Sequence, residues 1–226
     1  MAEVNIFSSM DVKGILAHKK TGDTKTVKEH IIQAYGGDPT IPFIIDQALI
    51  NKLKEKAANP PLFGWTDYKQ IPDYTRLVSA KRSDARYPLT ADDVDQGYLT
   101  TIYNLQIRVS KGDTIRWWGH SIDPKSSTQS IISNVNFHAH SSEFSPTLST
   151  QSFYFASKLI GAAISNGLYV ETSTTFALEG VIPSNWSGTY NYDVEIQLLS
   201  GTFVGATGLM SLPIAKLVVD PTIIVS

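Results

Sequence analysis

Hydrophobic and polar residues alternate most cleanly over positions 190–198, where Tyr190, Tyr192, Val194, Ile196 and Leu198 are interleaved with Asn191, Asp193, Glu195 and Gln197. A period of two sends alternate side chains to opposite faces, so this stretch predicts a half-buried β-strand. The same period runs through 99–109, with Leu99, Thr101, Tyr103, Leu105, Ile107 and Val109 on one face. Gly112-Asp113 then supplies a tight reversal. Thr114-Ile115-Arg116-Trp117-Trp118 follows, rich in residues that suit a pleated surface. Alternation turns Ile115 and Trp117 inward and sets Thr114, Arg116 and Trp118 on the opposite face. Further strands are predicted over 4–9, 130–138, 169–178 and 215–225, the last interrupted by Asp220-Pro221. Positions 153–164 form a short apolar run that fits a buried helix or a strand equally well.

The first quarter of the chain reads differently. Over 24–35, Val27, Ile31, Ile32 and Tyr35 recur at helical spacing and Gly36-Gly37 stops the run. Over 46–58, Ala48, Leu49, Leu53 and Ala57 make an apolar stripe, Lys52, Lys54, Glu55 and Lys56 keep the rest in water, and Asn59-Pro60-Pro61 ends it. Positions 59–97 hold no sustained period but are too aromatic for a free linker, and predict an ordered, irregular excursion. About seven strands, most of them after residue 97, predict a mainly-β fold: an antiparallel two-sheet β-sandwich, Ig-like or jelly-roll-like, with a helical N-terminal elaboration. One domain over 1–226, with an insertion at about 24–97, is the expected organisation.

Charge and composition narrow the function classes. The 226 residues carry a net charge of -2, which gives no general attraction to nucleic acid or anionic lipid. The absence of cysteine excludes disulfides, thiolate metal sites and a cysteine nucleophile. No run approaches the ~18 apolar residues of a membrane span, and residues 1–7 lack the basic and apolar regions of a signal peptide. The expectation is a cytoplasmic protein, with export by a non-classical route left open.

Three stretches in order carry a family resemblance. Val4-Asn5-Ile6-Phe7 leads through Asp11 to Ile15-Leu16; Gly112-Asp113-Thr114-Ile115-Arg116-Trp117 is followed by Gly119; and the strand at 190–198 precedes a terminal Asp220-Pro221-Thr222-Ile223-Ile224-Val225. Together they resemble the AidA/PixA family of bacterial inclusion-body and quorum-regulated proteins. Ala215-Lys216-Leu217-Val218-Val219 stands where that family carries an aromatic run, so the resemblance is to a divergent member. It implies a compact β-sandwich made in the cytoplasm of host-associated bacteria, sometimes stored in inclusion bodies, with no catalytic residues and no cofactor to carry over.

The candidate chemistry is sparse. Trp118, Arg116, Asn185 and Trp186 are the candidate ligand-binding residues, because a flat exposed ring beside polar groups can stack on a sugar or a partner chain. His138 and His140 lie at i and i+2 with Glu143 close behind. That is how strands present imidazoles to a metal. The spacing to the glutamate and the missing glycine-rich approach depart from the cupin pattern, so no metal is expected there. No Gly-x-Ser-x-Gly elbow is present, and Asp92-Asp93-Asp95 reads as a solvated turn. The leading expectation is a non-enzymatic protein that self-associates, as a dimer, or binds a host or cell-surface ligand. A carbohydrate-binding lectin is the alternative, and a metal-dependent cupin-like enzyme a third reading. Self-association is expected through strands 130–138 and 169–178, which carry few charges, since uncharged edges invite pairing with another chain.

Overall fold

The structure is a computed structural model that describes residues 2–19, 22–42, 46–63, 75–79, 106–122, 127–139, 143–157, 169–205 and 208–226. The chain enters as strand β1 (Glu3–Met10) and turns into the short helix α1 (Val12–Ala17). The Asp11 carboxylate caps α1 by accepting from the Gly14 N–H at 2.9 Å. Helix α2 (Val27–Tyr35) opens with a capping box: the Thr26 hydroxyl accepts from the Glu29 N–H and the Glu29 carboxylate accepts from the Thr26 N–H. Gly36 ends it at φ 69°, a left-handed conformation that glycine adopts without strain. Helix α3 (Gln47–Lys56) buries Leu49, Ile50 and Leu53. Lys56 ties it to α2 by donating to the Ala34 carbonyl at 2.7 Å while its ammonium sits 5.4 Å from the Tyr35 ring centre. Burial pushes the Tyr35 hydroxyl up to about 12. Both longer helices lie where the sequence predicts them.

The strands that follow are β2 (Leu62–Phe63), β3 (Thr75–Ser79), β4 (Gln106–Val109), β5 (Thr114–Ser121), β6 (Gln129–Phe137), β7 (Thr147–Ser157), β8 (Tyr169–Val181), β9 (Gly188–Leu199), β10 (Phe203–Gly205), β11 (Gly208–Met210), β12 (Pro213–Val219) and β13 (Thr222–Val225). One sheet has the order β3-β1-β5-β8-β7. The other runs β2-β12-β9-β13-β4, with β6 on the opposite side of β9 from β12, since Val194 pairs with both Val135 and Val219. The strand pair β10-β11 stands apart. The fold is mainly β and sandwich-like, as expected. It is mixed and not purely antiparallel, because β1–β5, β12–β2 and β13–β4 are parallel pairs. Parallel partners need a crossover connection, and the intervening chain between β1 and β5 provides one that a hairpin reading cannot foresee.

Differences from the sequence reading are local. The excursion at 59–97 contributes β2 and β3 to the two sheets, and its residues 64–74 and 80–97 lie outside the described residues. The predicted strand at 99–109 is described as β4 from Gln106 onward. Of the ambiguous run at 153–164, residues 153–157 are strand within β7, and the rest lies outside the described residues.

The layers meet at Trp117 of β5 and Tyr192 of β9, both with no exposed surface. Their rings lie 6.0 Å apart edge-on, and the indole N–H donates to the Tyr192 hydroxyl at 3.4 Å. Burial also raises the Tyr192 hydroxyl. Asp113, 2% exposed, fixes the entry to β5: its carboxylate accepts from the Ala2 N–H at 2.7 Å and the Ser110 N–H at 2.9 Å. The neighbouring Gly112, at φ 79°, donates to the Ile182 carbonyl. The turn read from Gly112-Asp113 thus joins the chain's start, the β4–β5 connection and the end of β8.

Candidate functional site

Arg116 projects from β5 between its two neighbours in the sheet. Its Nη1 lies 2.7 Å from one Glu3 carboxylate oxygen of β1 and its Nη2 donates to the other at 3.0 Å, while its Nε donates to Glu179 of β8. The guanidinium is therefore a clamp across β1, β5 and β8, inside the sheet and not at an edge. Trp118, two residues on, shares that face and is half-buried against Phe7 with ring centres 4.5 Å apart.

Trp186 occupies a different place from the one its loop suggests. It is 1% exposed, stacked on Tyr190 at 4.4 Å and 12°, and its ring lies 4.9 Å from Phe137. The expectation of an exposed ring here is corrected: the loop 182–187 folds its tryptophan into an aromatic cluster with Phe137 and Phe144. Glu143 receives the indole N–H at 3.0 Å and the amide N–H of the exposed Asn185 at 3.3 Å. A buried indole N–H needs such an acceptor. Glu143 thus takes a positioning role in this loop, and His140 lies outside the described residues.

His138 does meet acidic partners, but from distant sequence. Its Nε2 lies 2.8 Å from Asp193 Oδ1 on β9 and 3.9 Å from Asp220 Oδ1 at the β12–β13 junction. The hydrogen bond to Asp193 raises the His138 pKa above its ordinary value, against the pull of burial. Burial and the neighbouring Asp193 charge leave Asp220 raised despite His138. The signal in the sequence was the outward set of β9, which contains Asp193; what it lacked was the pairing that sets Asp220 beside it.

One row along the same face, Glu195 is held by Lys216 of β12 at 2.8 Å and by the Ser133 hydroxyl of β6 at 2.8 Å. Burial pushes the Glu195 carboxyl up, and Lys216 and Ser133 outweigh it, so the pKa falls below the ordinary 4.5. A depressed carboxylate contributes stability that is fully present above the unfolded-state pKa and is lost as pH falls through the folded-state value. Glu195→Gln is expected to lower stability near neutral pH by up to about 1 kcal/mol and to flatten the acid limb of the stability curve. Superimposable curves for both proteins between pH 3 and 7 would contradict the pairing.

No sequence-family profile matches the chain, and no curated protein matches it. Among solved structures, it is similar to the inclusion body protein PixA from Burkholderia cenocepacia, at TM-score 0.50 and 12% identity, over 100% of this chain and 96% of that one. At that identity the likeness is one of fold. A cysteine protease inhibitor from Entamoeba histolytica overlaps 54% of the chain at TM-score 0.24 and 11% identity, and 86% of that chain is covered. Amebosin overlaps 54% at TM-score 0.21 and 12% identity, with 90% of that chain covered. Scores of that size define no shared fold. Among the described residues, no helix is long and apolar enough to cross a membrane.

Proposed function

We propose that this is a non-enzymatic, PixA-like protein that works by self-association, with the β7–β8 ribbon as the element that joins one copy to the next. The ribbon carries the reading. β7 and β8 pair continuously from Thr147↔Glu179 to Ser157↔Tyr169, whereas β8 pairs with β5 only over Leu178–Val181. Beyond Leu178 the described strands of the ribbon are two, β7 and β8, and β7 ends the strand order of its sheet. A two-stranded ribbon is marginal in water by itself, and an unpaired edge without Lys or Pro is a template for another chain. β7, reading TLSTQSFYFAS, has no charged residue and no proline, and Leu148 at its base is 66% exposed. The fold shared with an inclusion body protein supports the same reading. The clamp made by Arg116 and the enclosure of Trp186 give a sugar ring no stacking surface at those two residues.

Sedimentation velocity tests the reading. The native chain is expected to run above 24.8 kDa at micromolar concentration, and Thr174→Lys, which puts a charge on the ribbon edge, is expected to shift it towards 24.8 kDa. Leu148→Glu, at an exposed position, serves as the second variant because it leaves the core intact. Native protein at 24.8 kDa at every concentration would overturn self-association.

A further inference from the structure

We propose that His138, Asp193 and Asp220 form a divalent-cation site for a first-row transition ion of the Zn²⁺ type, on the outer face of β6, β9 and the β12–β13 junction. The pairing register carries the argument. Val194 faces Val219 and Asn191 faces Thr222, so β12 and β13 continue one register against β9 through the intervening Asp220-Pro221. That register sets Asp220 directly opposite Asp193, and the Tyr192 N–H donating to the Pro221 carbonyl at 3.1 Å holds it there. On the other side of β9, Asn136 faces Asp193. The His138 N–H donates to the Asn191 carbonyl at 3.1 Å and continues the β6 register by one residue.

Two carboxylates directly opposite each other repel and destabilise a strand pair unless a cation stands between them. The lysine on this face, Lys216, is engaged by Glu195. His138 is the cationic partner of Asp193 and Asp220 among the described residues. One ligand atom from each of the three residues can be chosen so that all lie within 4.8 Å of one another. Ligands on a metal at about 2.0–2.2 Å stand roughly 3–3.5 Å apart, so a small contraction of the Asp220 side chain completes the triangle. One imidazole with two carboxylates suits Zn²⁺ or Mn²⁺, whereas carboxylates alone favour Mg²⁺ or Ca²⁺. The side chains of His138, Asp193 and Asp220 are 45%, 37% and 56% exposed, so a bound ion exchanges with solvent and carries water on its open positions. This site differs from the pairing of His138 with His140 and Glu143 considered from sequence: its carboxylates come from β9 and the β12–β13 junction.

The test is calorimetric titration of the EDTA-treated full chain with ZnCl₂, with thermal unfolding as a second readout. Zn²⁺ is expected to bind at one site per chain and to raise the Tm. Asp193→Asn and Asp220→Asn are each expected to weaken binding at least tenfold and to abolish the Tm rise. Both variants fold, since each keeps the side-chain shape; in EDTA the Tm of Asp220→Asn is expected to equal or exceed that of the native chain, whereas Asp193→Asn, which also loses the charge facing His138, is expected to fall slightly below it. His138→Gln is expected to lose Zn²⁺ binding at least tenfold. Absence of Zn²⁺ binding by the native chain would overturn the site, as would native affinity in an Asp193→Asn/Asp220→Asn double variant. Mg²⁺ binding as tightly as Zn²⁺ would overturn the part given to the imidazole.

Discussion

Trp117→Ala is expected to lower the unfolding free energy by about 3–5 kcal/mol, the range for removing a fully buried aromatic side chain. Trp117 has no exposed surface and lies edge-on to Phe144 at 5.8 Å and to Tyr192 of the facing sheet at 6.0 Å. The alanine leaves a cavity bounded by both sheets. It also takes away the indole N–H that meets the Tyr192 hydroxyl, so a fully buried hydroxyl loses a partner. Urea unfolding of the two proteins measures the difference. A loss below about 1 kcal/mol would mean that the inward face of β5 is the one carrying Arg116 and Trp118.

Gly119→Ala is expected to destabilise by about 3 kcal/mol or more, at the upper end for adding a methyl group to a packed interior. β1 runs parallel to β5 with Ser8 beside Gly119. A Cβ added at Gly119 would lie 2.0 Å from the Ser8 carbonyl oxygen and 2.8 Å from its carbonyl carbon. Those are backbone atoms, so no rotamer change relieves the clash; β1 has to move away from β5. Pulling β1 away also strains the Glu3–Arg116 ion pair at the other end of the strand. A Gly119→Ala protein with native Tm would show that β1 and β5 do not approach this closely.

The local elements were legible because each carries its own physical signature. The helical spacing of Val27, Ile31, Ile32 and Tyr35 announces α2, Gly36 its stop, and the strict alternation of 190–198 marks the faces of β9. Trp117 was readable as core from the same alternation. What links distant parts of the chain was not legible. Nothing local to β1 says that it lies parallel to β5, because the pairing is decided by which inward faces fit together and not by either strand alone.

The candidate site shows the same division. Alternation sets Arg116 on the face opposite Trp117, as found, but its partners Glu3 and Glu179 come from strands more than sixty residues away. Trp186 sits in a run of Pro, Ser, Asn and Gly that has the composition of an exposed turn, and its burial follows from Tyr190, Phe137 and Glu143 converging on one ring. Likewise, Asp193 and Asp220 look like ordinary solvated carboxylates in sequence. Only the shared register of β12 and β13 along β9 sets them face to face.

Self-association through the β7–β8 ribbon is tested most directly by amide hydrogen exchange at two protein concentrations. Strand pairing between copies would occupy outer-edge N–H groups that a lone ribbon leaves to water. Protection over residues 149–157 and 169–177 is expected to rise with concentration, while that of the buried strand β9 stays constant. Exchange over those residues that is equally fast at both concentrations would contradict the account.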